Sequence, residues 1–274
     1  TLYDILSRCV EICSPDARYD SYSDGYERAI NEPRGRIFEA LILLSLRRAR
    51  TSARKSASFY EAWDDLRKVF ELYLQNQEKE EISLRAIVGA YYRQLCFLNE
   101  QWIYQNIDIV APSPDKSPTL WRSFMDGFCY GTAYVREMYD LLNVRGYLLE
   151  YLRQETEKSN SSRRNHLQNR VIELSLVAIV LGHENANEGI LGSIISDRNP
   201  DEWQLVISSI GSVISETPDP GHLDKAKSLI SRLLDVRDTA PSDPKWKKSF
   251  RGLERFLTLL KDPGDPLVAR IIRV

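Results

Sequence analysis

Apolar residues recur along most of the chain at spacings of three and four, the period of an α-helix with one buried side. The clearest stripe runs from Phe59 to Tyr73, and similar stripes run from Ile37 to Leu44, from Leu223 to Leu233 and from Trp246 to Leu260. No stretch shows the period of two that predicts a half-buried strand. The pattern predicts helices over residues 1–13, 18–30, 33–50, 56–75, 80–92, 93–107, 118–129, 132–142, 144–155, 163–182, 186–196, 200–215, 221–237, 242–261 and 265–273.

The 12 prolines all lie between these stripes, where a missing amide proton leaves no helical hydrogen bond unmade. Pro33 and Pro200 follow polar residues suited to helix capping, so both are predicted to stand at helix starts. Residues 171–181 are apolar on nearly every side but fall short of the ~20 residues that cross a bilayer. They therefore predict a central, buried helix.

Helices of ordinary length joined by short turns predict an all-α fold, namely an α-solenoid-like stack of antiparallel helical hairpins. The hairpins would resemble tetratricopeptide or HEAT repeats, but no repeat recurs in register, so the repeats must be degenerate.

Aromatic residues divide the chain unevenly, because only Trp203, Trp246, Phe250 and Phe256 follow Tyr151. A polar run over residues 153–165 separates the two regions and predicts a boundary near 156–162. We predict an aromatic-rich helical subdomain over 1–155 and a second helical subdomain over 163–274. The alternative is one continuous stack.

The 37 Lys and Arg residues against 39 Asp and Glu give a formal charge of -2, so no overall basic field attracts nucleic acid or an anionic membrane. No apolar stretch is long enough to span a bilayer, and the expected location is cytoplasmic. Four cysteines flanked by apolar residues are predicted to be reduced, buried thiols: Cys9, Cys13, Cys96 and Cys129.

Phosphate-binding loops, zinc-binding His pairs and nucleophile elbows are all missing from the sequence. His183 and Glu184 follow the buried stretch directly, but a His after a helix-ending Gly182 is better explained by its interaction with the helix dipole. We therefore predict no catalytic residue, no cofactor and no metal ligand.

Residues 34–55 hold seven basic side chains against one acid, Glu39. One interpretation is a platform for an acidic protein or nucleic acid, with nearby aromatic residues supplying stacking. The other is a solvated helix end whose arginines favour the dipole and pair with neighbouring acids. Under the first interpretation the predicted partner-binding residues are Arg47, Arg48, Arg50, Arg54, Tyr91, Tyr92 and Trp102.

Two stretches resemble a known class of proteins. The first reads Tyr26, Ala29-Ile30-Asn31, Pro33-Arg34-Gly35 and Glu39-Ala40-Leu41-Ile42; the second contains Trp121, Phe124-Met125, Gly127, Tyr139 and Leu141-Leu142. Both resemble the C-terminal helical-repeat regions of bacterial antiviral STAND NTPases, and of related defence proteins with sirtuin or nuclease effectors.

The resemblance implies a non-enzymatic sensor region that binds a phage protein, with the NTPase and effector expected before Thr1. The alternative is a tetratricopeptide- or HEAT-type scaffold that binds a host protein. No membrane partner is expected, and nucleic acid is disfavoured by the charge balance.

Overall fold

The computed structural model describes residues 2–13, 24–52, 56–75, 82–131, 133–158, 162–197, 200–216, 220–239, 248, 250–258, 260 and 262–272. Every element in these ranges is a helix, which confirms the all-α class. The elements are α1 (Leu2–Ile12), α2 (Gly25–Asn31), α3 (Pro33–Thr51), α4 (Ala57–Leu74), α5 (Ile82–Ala90), α6 (Tyr92–Gln105), α7 (Ile107–Val110), α8 (Pro118–Gly131), α9 (Arg136–Val144), α10 (Tyr147–Lys158), α11 (Ser162–Leu181), α12 (Gly189–Asp197), α13 (Pro200–Glu216), α14 (Pro220–Asp238), the 3-10 helix η1 (Phe250–Thr258) and α15 (Pro266–Ile272).

Two compact units make up the chain, Thr1–Val135 and Arg136–Val274. The boundary therefore lies before α9, not in the polar run at 156–162 that the sequence suggests. The reason is packing, because α10 contacts both α11 and α12 and so belongs with the second unit. Pro33 and Pro200 begin helices, as predicted. In the described ranges three further helices also begin at a proline, at Pro118, Pro220 and Pro266.

In the first unit, α2, α5 and α8 all contact one another, with α5 packed along α8 most extensively. Glycine allows this approach, because a Cβ on Gly127 would lie 1.8 Å from the carbonyl oxygen of Ala86. A Cβ on Gly131 would lie 2.2 Å from the carbonyl oxygen of Ala90. In a simple stack of hairpins, each helix contacts helices that are close to it in sequence. Here α2 contacts α8, which is distant in sequence, so the α-solenoid arrangement stays a prediction.

The α4 stripe is buried as predicted, with Phe59, Trp63, Leu66, Phe70 and Tyr73 all in the core. The ring of Trp63 meets that of Trp102 on α6 at 5.2 Å, in an edge-to-face arrangement. Asn99 interrupts α6 with non-helical backbone angles, and its side chain accepts a hydrogen bond from the Trp102 amide at 2.9 Å. This local cap starts the last turns of α6 and sets the position of Trp102.

Arg34, in the first turn of α3, is an arginine that the fold buries. Its guanidinium donates to the carbonyl oxygens of Val10, at 2.6 Å, and Cys13. It also lies against the rings of Phe38 and Tyr73. Because the last carbonyls of α1 have no helical partner, this cation both satisfies them and complements the helix dipole.

In the second unit, α11 packs against α10, α12, α13 and α14. Its residues from Val171 to Val180 are buried apart from the half-buried Glu173 and Val177, which confirms the central helix. The buried Trp203 on α13 donates from Nε1 to the Ile194 carbonyl at 3.2 Å and packs against Phe250.

The region predicted as a helix over 242–261 contains the 3-10 helix η1, with residues 240–247 outside the described part. Its buried residues Phe250, Leu253 and Phe256 are three apart, matching the 3-10 period, and Leu257 is only half-buried. The predicted α-helical stripe is therefore wrong in its last turns.

Candidate protein-binding face

The exposed side of α3 carries the candidate site. Its buried side includes Phe38, Leu41, Ile42, Ser45, Leu46 and Ala49. Leu43, Arg47 and Arg50 are all exposed, and their spacing of four and three puts them on one side of the helix. We call these three residues the outer α3 face. Leu43, which lies one turn before Arg47, is 46% exposed.

The side chains of Arg47 and Arg50 form no ion pair, hydrogen bond or ring contact within the described residues. Both guanidinium groups are therefore available to a partner. The helix also ends one residue after Arg50, where positive charge favours the dipole. A dipole role explains the charge of these residues but not the leucine exposed beside them.

Arg48 has a structural role instead. It donates to the carboxylate of Asp65 on α4 at 2.7 Å, and the Asp65 backbone oxygen accepts from the Tyr3 hydroxyl. This half-exposed pair ties α3 to α4 and is worth no more than about 1 kcal/mol. Arg54, the fourth predicted arginine, lies outside the described residues.

Of the three predicted aromatic residues, one is buried and two are half-buried. Tyr92 is 0% exposed and packs edge-to-face on Phe124, so its prediction as a surface contact is wrong. It begins α6, and its side chain is buried in the core. Trp102 is half-buried against Trp63.

Tyr91 is half-buried, and its hydroxyl donates to the Glu39 carboxylate at 2.8 Å. Burial first, and then the bond to Glu39, raise the pKa of the Tyr91 hydroxyl. Burial and the charge of Glu39 also raise the pKa of Tyr26, whose ring stacks on Tyr130 at 4.8 Å. These hydroxyls stay protonated at neutral pH, so they donate hydrogen bonds and do not act as bases.

Further apolar exposure lies around Phe59, where Tyr60 is 50% and Phe97 is 40% exposed. Their rings each meet the buried Phe59 ring at 5.8 Å. The sequence gives one signal for Tyr60, because successive helical residues point about 100° apart and Tyr60 therefore lies to one side of the stripe that contains Phe59. Leu43 gives a similar signal, because it does not belong to the predicted apolar stripe that contains Ile37, Leu41 and Leu44.

Reactive groups are scarce in the described part of the chain. All four cysteines are free, as predicted, but only Cys129 is buried, whereas the other three are half-buried. Burial raises the pKa of the Cys96 thiol to about 12, which keeps it protonated. Among the described residues no cluster of His, Cys, Asp and Glu could hold a metal ion. No helix in the same ranges is long and apolar enough to cross a membrane.

Comparison with protein-family models, with curated proteins and with solved structures gives no match. The resemblance to STAND sensor regions therefore depends on its two sequence stretches alone.

Most residues of those stretches have packing roles. In the first, a Cβ on Gly35 would lie 2.1 Å from the Ala29 carbonyl oxygen, so Gly35 allows α3 to turn closely past α2. In the second, Trp121, Phe124 and Met125 are all buried. The resembling residues thus determine how helices pack, and the exposed face lies elsewhere on α3.

Proposed function

We propose that this chain is a non-enzymatic protein-recognition module that binds an acidic partner through the outer α3 face. The observation that carries the proposal is an exposed leucine on the same side of α3 as two exposed arginines, whose side chains have no partner in the described part of the chain. Arginine is enriched in protein interfaces, where it combines charge with a large contact area. Leu43 supplies apolar surface that becomes buried when a partner binds.

We further propose that the module is the phage-protein sensor region of a larger cytoplasmic antiviral protein. Its support is the resemblance of residues around Pro33 and Trp121 to helical-repeat regions of STAND NTPases. In such a protein the enzymatic domains belong to another part of the chain, and the helical array supplies recognition.

The second candidate function is a tetratricopeptide- or HEAT-type scaffold that binds a host protein. One observation favours it: the residues that carry the resemblance are mainly core residues, which any packed helical array needs. The two functions share the outer α3 face and differ in the source of the partner.

A capture experiment tests both proposals. The chain is immobilised and exposed to lysates of phage-infected and uninfected bacteria, and bound proteins are quantified by mass spectrometry. We expect an acidic protein enriched from the infected lysate. The Arg47→Glu/Arg50→Glu variant should lose it, because like charges then face each other across the interface.

Arg93→Glu/Lys116→Glu is the matched control. Both residues are exposed, lie in the first unit and make no ion pair in the described ranges, so the net charge changes equally. Equal capture by the two double variants would contradict the outer α3 face as the binding site. Capture of the same partner from both lysates would contradict the sensor function and support the scaffold function.

A further inference from the structure

The second unit contains a cleft of about 540 Å³ between α14 and the turn that follows α11. We call it the α14 cleft. Its polar lining includes Lys225, Ser228, Ser231, Arg232 and Asp235 on the helix, and Glu184, Asn185 and Asn187 on the turn. Such a volume lies within the range of small-molecule sites.

The cations of α14 fall into two groups. Lys227 pairs with Asp265 at 2.7 Å, and Arg237 pairs with Asp238 at 2.6 Å. Lys225 and Arg232, which line the cleft, make no ion pair or hydrogen bond within the residues that the structure describes. The unpaired cations of this helix are therefore those that face the cleft.

Spacing brings these two cations to the same side of the helix. Lys225 and Arg232 are seven residues apart, or about two turns, so both lie along one face roughly 10 Å apart at the backbone. Both residues line the cleft, with Ser228 on the intervening turn.

Two carboxylates also line the cleft, but both already have partners. Asp235 accepts from Arg270 at 2.8 Å. Glu184 accepts from the hydroxyls of Tyr139 and Ser175, and burial raises the pKa of its carboxyl. Neither carboxylate forms an ion pair with Lys225 or Arg232 in the described part of the chain.

The neutral polar groups have donors to offer. Ser231 Oγ accepts from Arg270 at 3.2 Å, which leaves its own O–H to donate. The side-chain oxygen of Asn185 accepts from the Asn187 amide at 3.0 Å, which leaves the Asn185 NH₂ group to donate. Cations surrounded by donors form an environment suited to an oxyanion.

A structural explanation exists for one of the two cations. Gly182, with φ of 77°, ends α11, and the Lys225 Nζ lies close to it. A lysine there is favourable because the C-terminal end of a helix carries partial negative charge. The same explanation does not extend to Arg232, two turns further along α14.

We infer that the α14 cleft binds a small phosphate-bearing ligand, with Arg232 and Lys225 holding the phosphate oxygens. A guanidinium can donate two parallel hydrogen bonds to a phosphate, and an ammonium contributes a compact charge. The cleft is larger than one phosphate group, so it has space for the organic part of a phosphate ester, next to Asn185 and Asn187.

Binding of inorganic pyrophosphate and inorganic phosphate to the full chain tests this site. Isothermal titration calorimetry gives the affinity, and thermal unfolding gives an independent readout, because a ligand that binds the folded state raises the melting temperature. We expect pyrophosphate to bind more tightly than phosphate and to raise the melting temperature above that in sodium chloride of equal ionic strength.

The Lys225→Gln/Arg232→Gln variant should weaken pyrophosphate binding by at least about tenfold, because it removes both charged donors. Arg136→Gln/Arg153→Gln is the control, since it removes the same charge from exposed positions of the second unit and should bind like wild type. Unchanged affinity in the cleft variant, or no binding beyond the sodium chloride effect, would overturn the site. No residue of the outer α3 face is involved, so the result is independent of the proposed function.

Discussion

Replacing Trp63 with alanine is expected to lower the free energy of unfolding by about 3 to 5 kcal/mol. Trp63 is 2% exposed, and its ring contacts Phe70 and Trp102 edge-to-face. Truncation removes the apolar area, leaves a cavity between α4 and α6, and loses aromatic pairs that are each worth about 0.5 to 1.5 kcal/mol beyond their area. Urea unfolding followed by circular dichroism measures the change without depending on tryptophan fluorescence.

Tyr60→Ala is the control for this prediction, because it removes an aromatic ring from the same helix where the ring is 50% exposed. Its cost should stay below about 1 kcal/mol. Equal unfolding midpoints for Trp63→Ala and the wild type would mean that the buried face of α4 is wrongly assigned.

Gly127→Ala should also destabilise the chain strongly, at or above the upper end of the ~1 to 3 kcal/mol typical of overpacking. The added Cβ would lie 1.8 Å from the Ala86 carbonyl oxygen, a backbone atom that cannot rotate away. The helices α5 and α8 would have to separate along their whole contact, which includes the similar close approach at Gly131.

Gly211→Ala on α13 is the matched control, because a Cβ there meets nothing within 4 Å. Alanine should stabilise that helix by about 0.5 to 1 kcal/mol, since glycine loses more backbone freedom on folding. The two substitutions are thus expected to move the melting temperature in opposite directions. A Gly127→Ala variant that melts like the wild type would contradict the close α5–α8 packing.

Sequence pattern was sufficient for the faces of long amphipathic helices. Phe59, Trp63 and Phe70 are buried because a spacing of three and four keeps apolar groups on one side of an α-helix. Prolines indicated helix starts for an equally local reason, because the first-turn amide hydrogens that proline lacks have no hydrogen-bond partner within the helix. The apolar stretch ending at Leu181 likewise indicated a helix covered on nearly all sides.

Properties that depend on packing were not predictable in this way. The stripe from Phe250 to Leu260 fits an α-helix, yet η1 buries residues three apart, and the sequence does not distinguish the two periods over so few turns. The boundary before Arg136 depends on which helices α10 contacts, whereas the polar run after it marks only local composition.

The candidate site was only partly predictable. The basic segment correctly indicated arginines on α3, but composition does not separate the exposed Arg47 from Arg48, which pairs with Asp65. Tyr92 was misassigned because a tyrosine suits both an interface and a core. Leu43 became part of the site only when the structure showed that its side of α3 is uncovered.

The most direct test of the outer α3 face is the association rate constant with the captured partner, measured by surface plasmon resonance over a series of salt concentrations. The account predicts that Arg47→Glu/Arg50→Glu slows association at low salt by at least about tenfold and gives a shallower salt dependence than the wild type, because steering by these charges is lost. Association and salt dependence equal to those of the Arg93→Glu/Lys116→Glu control would contradict it.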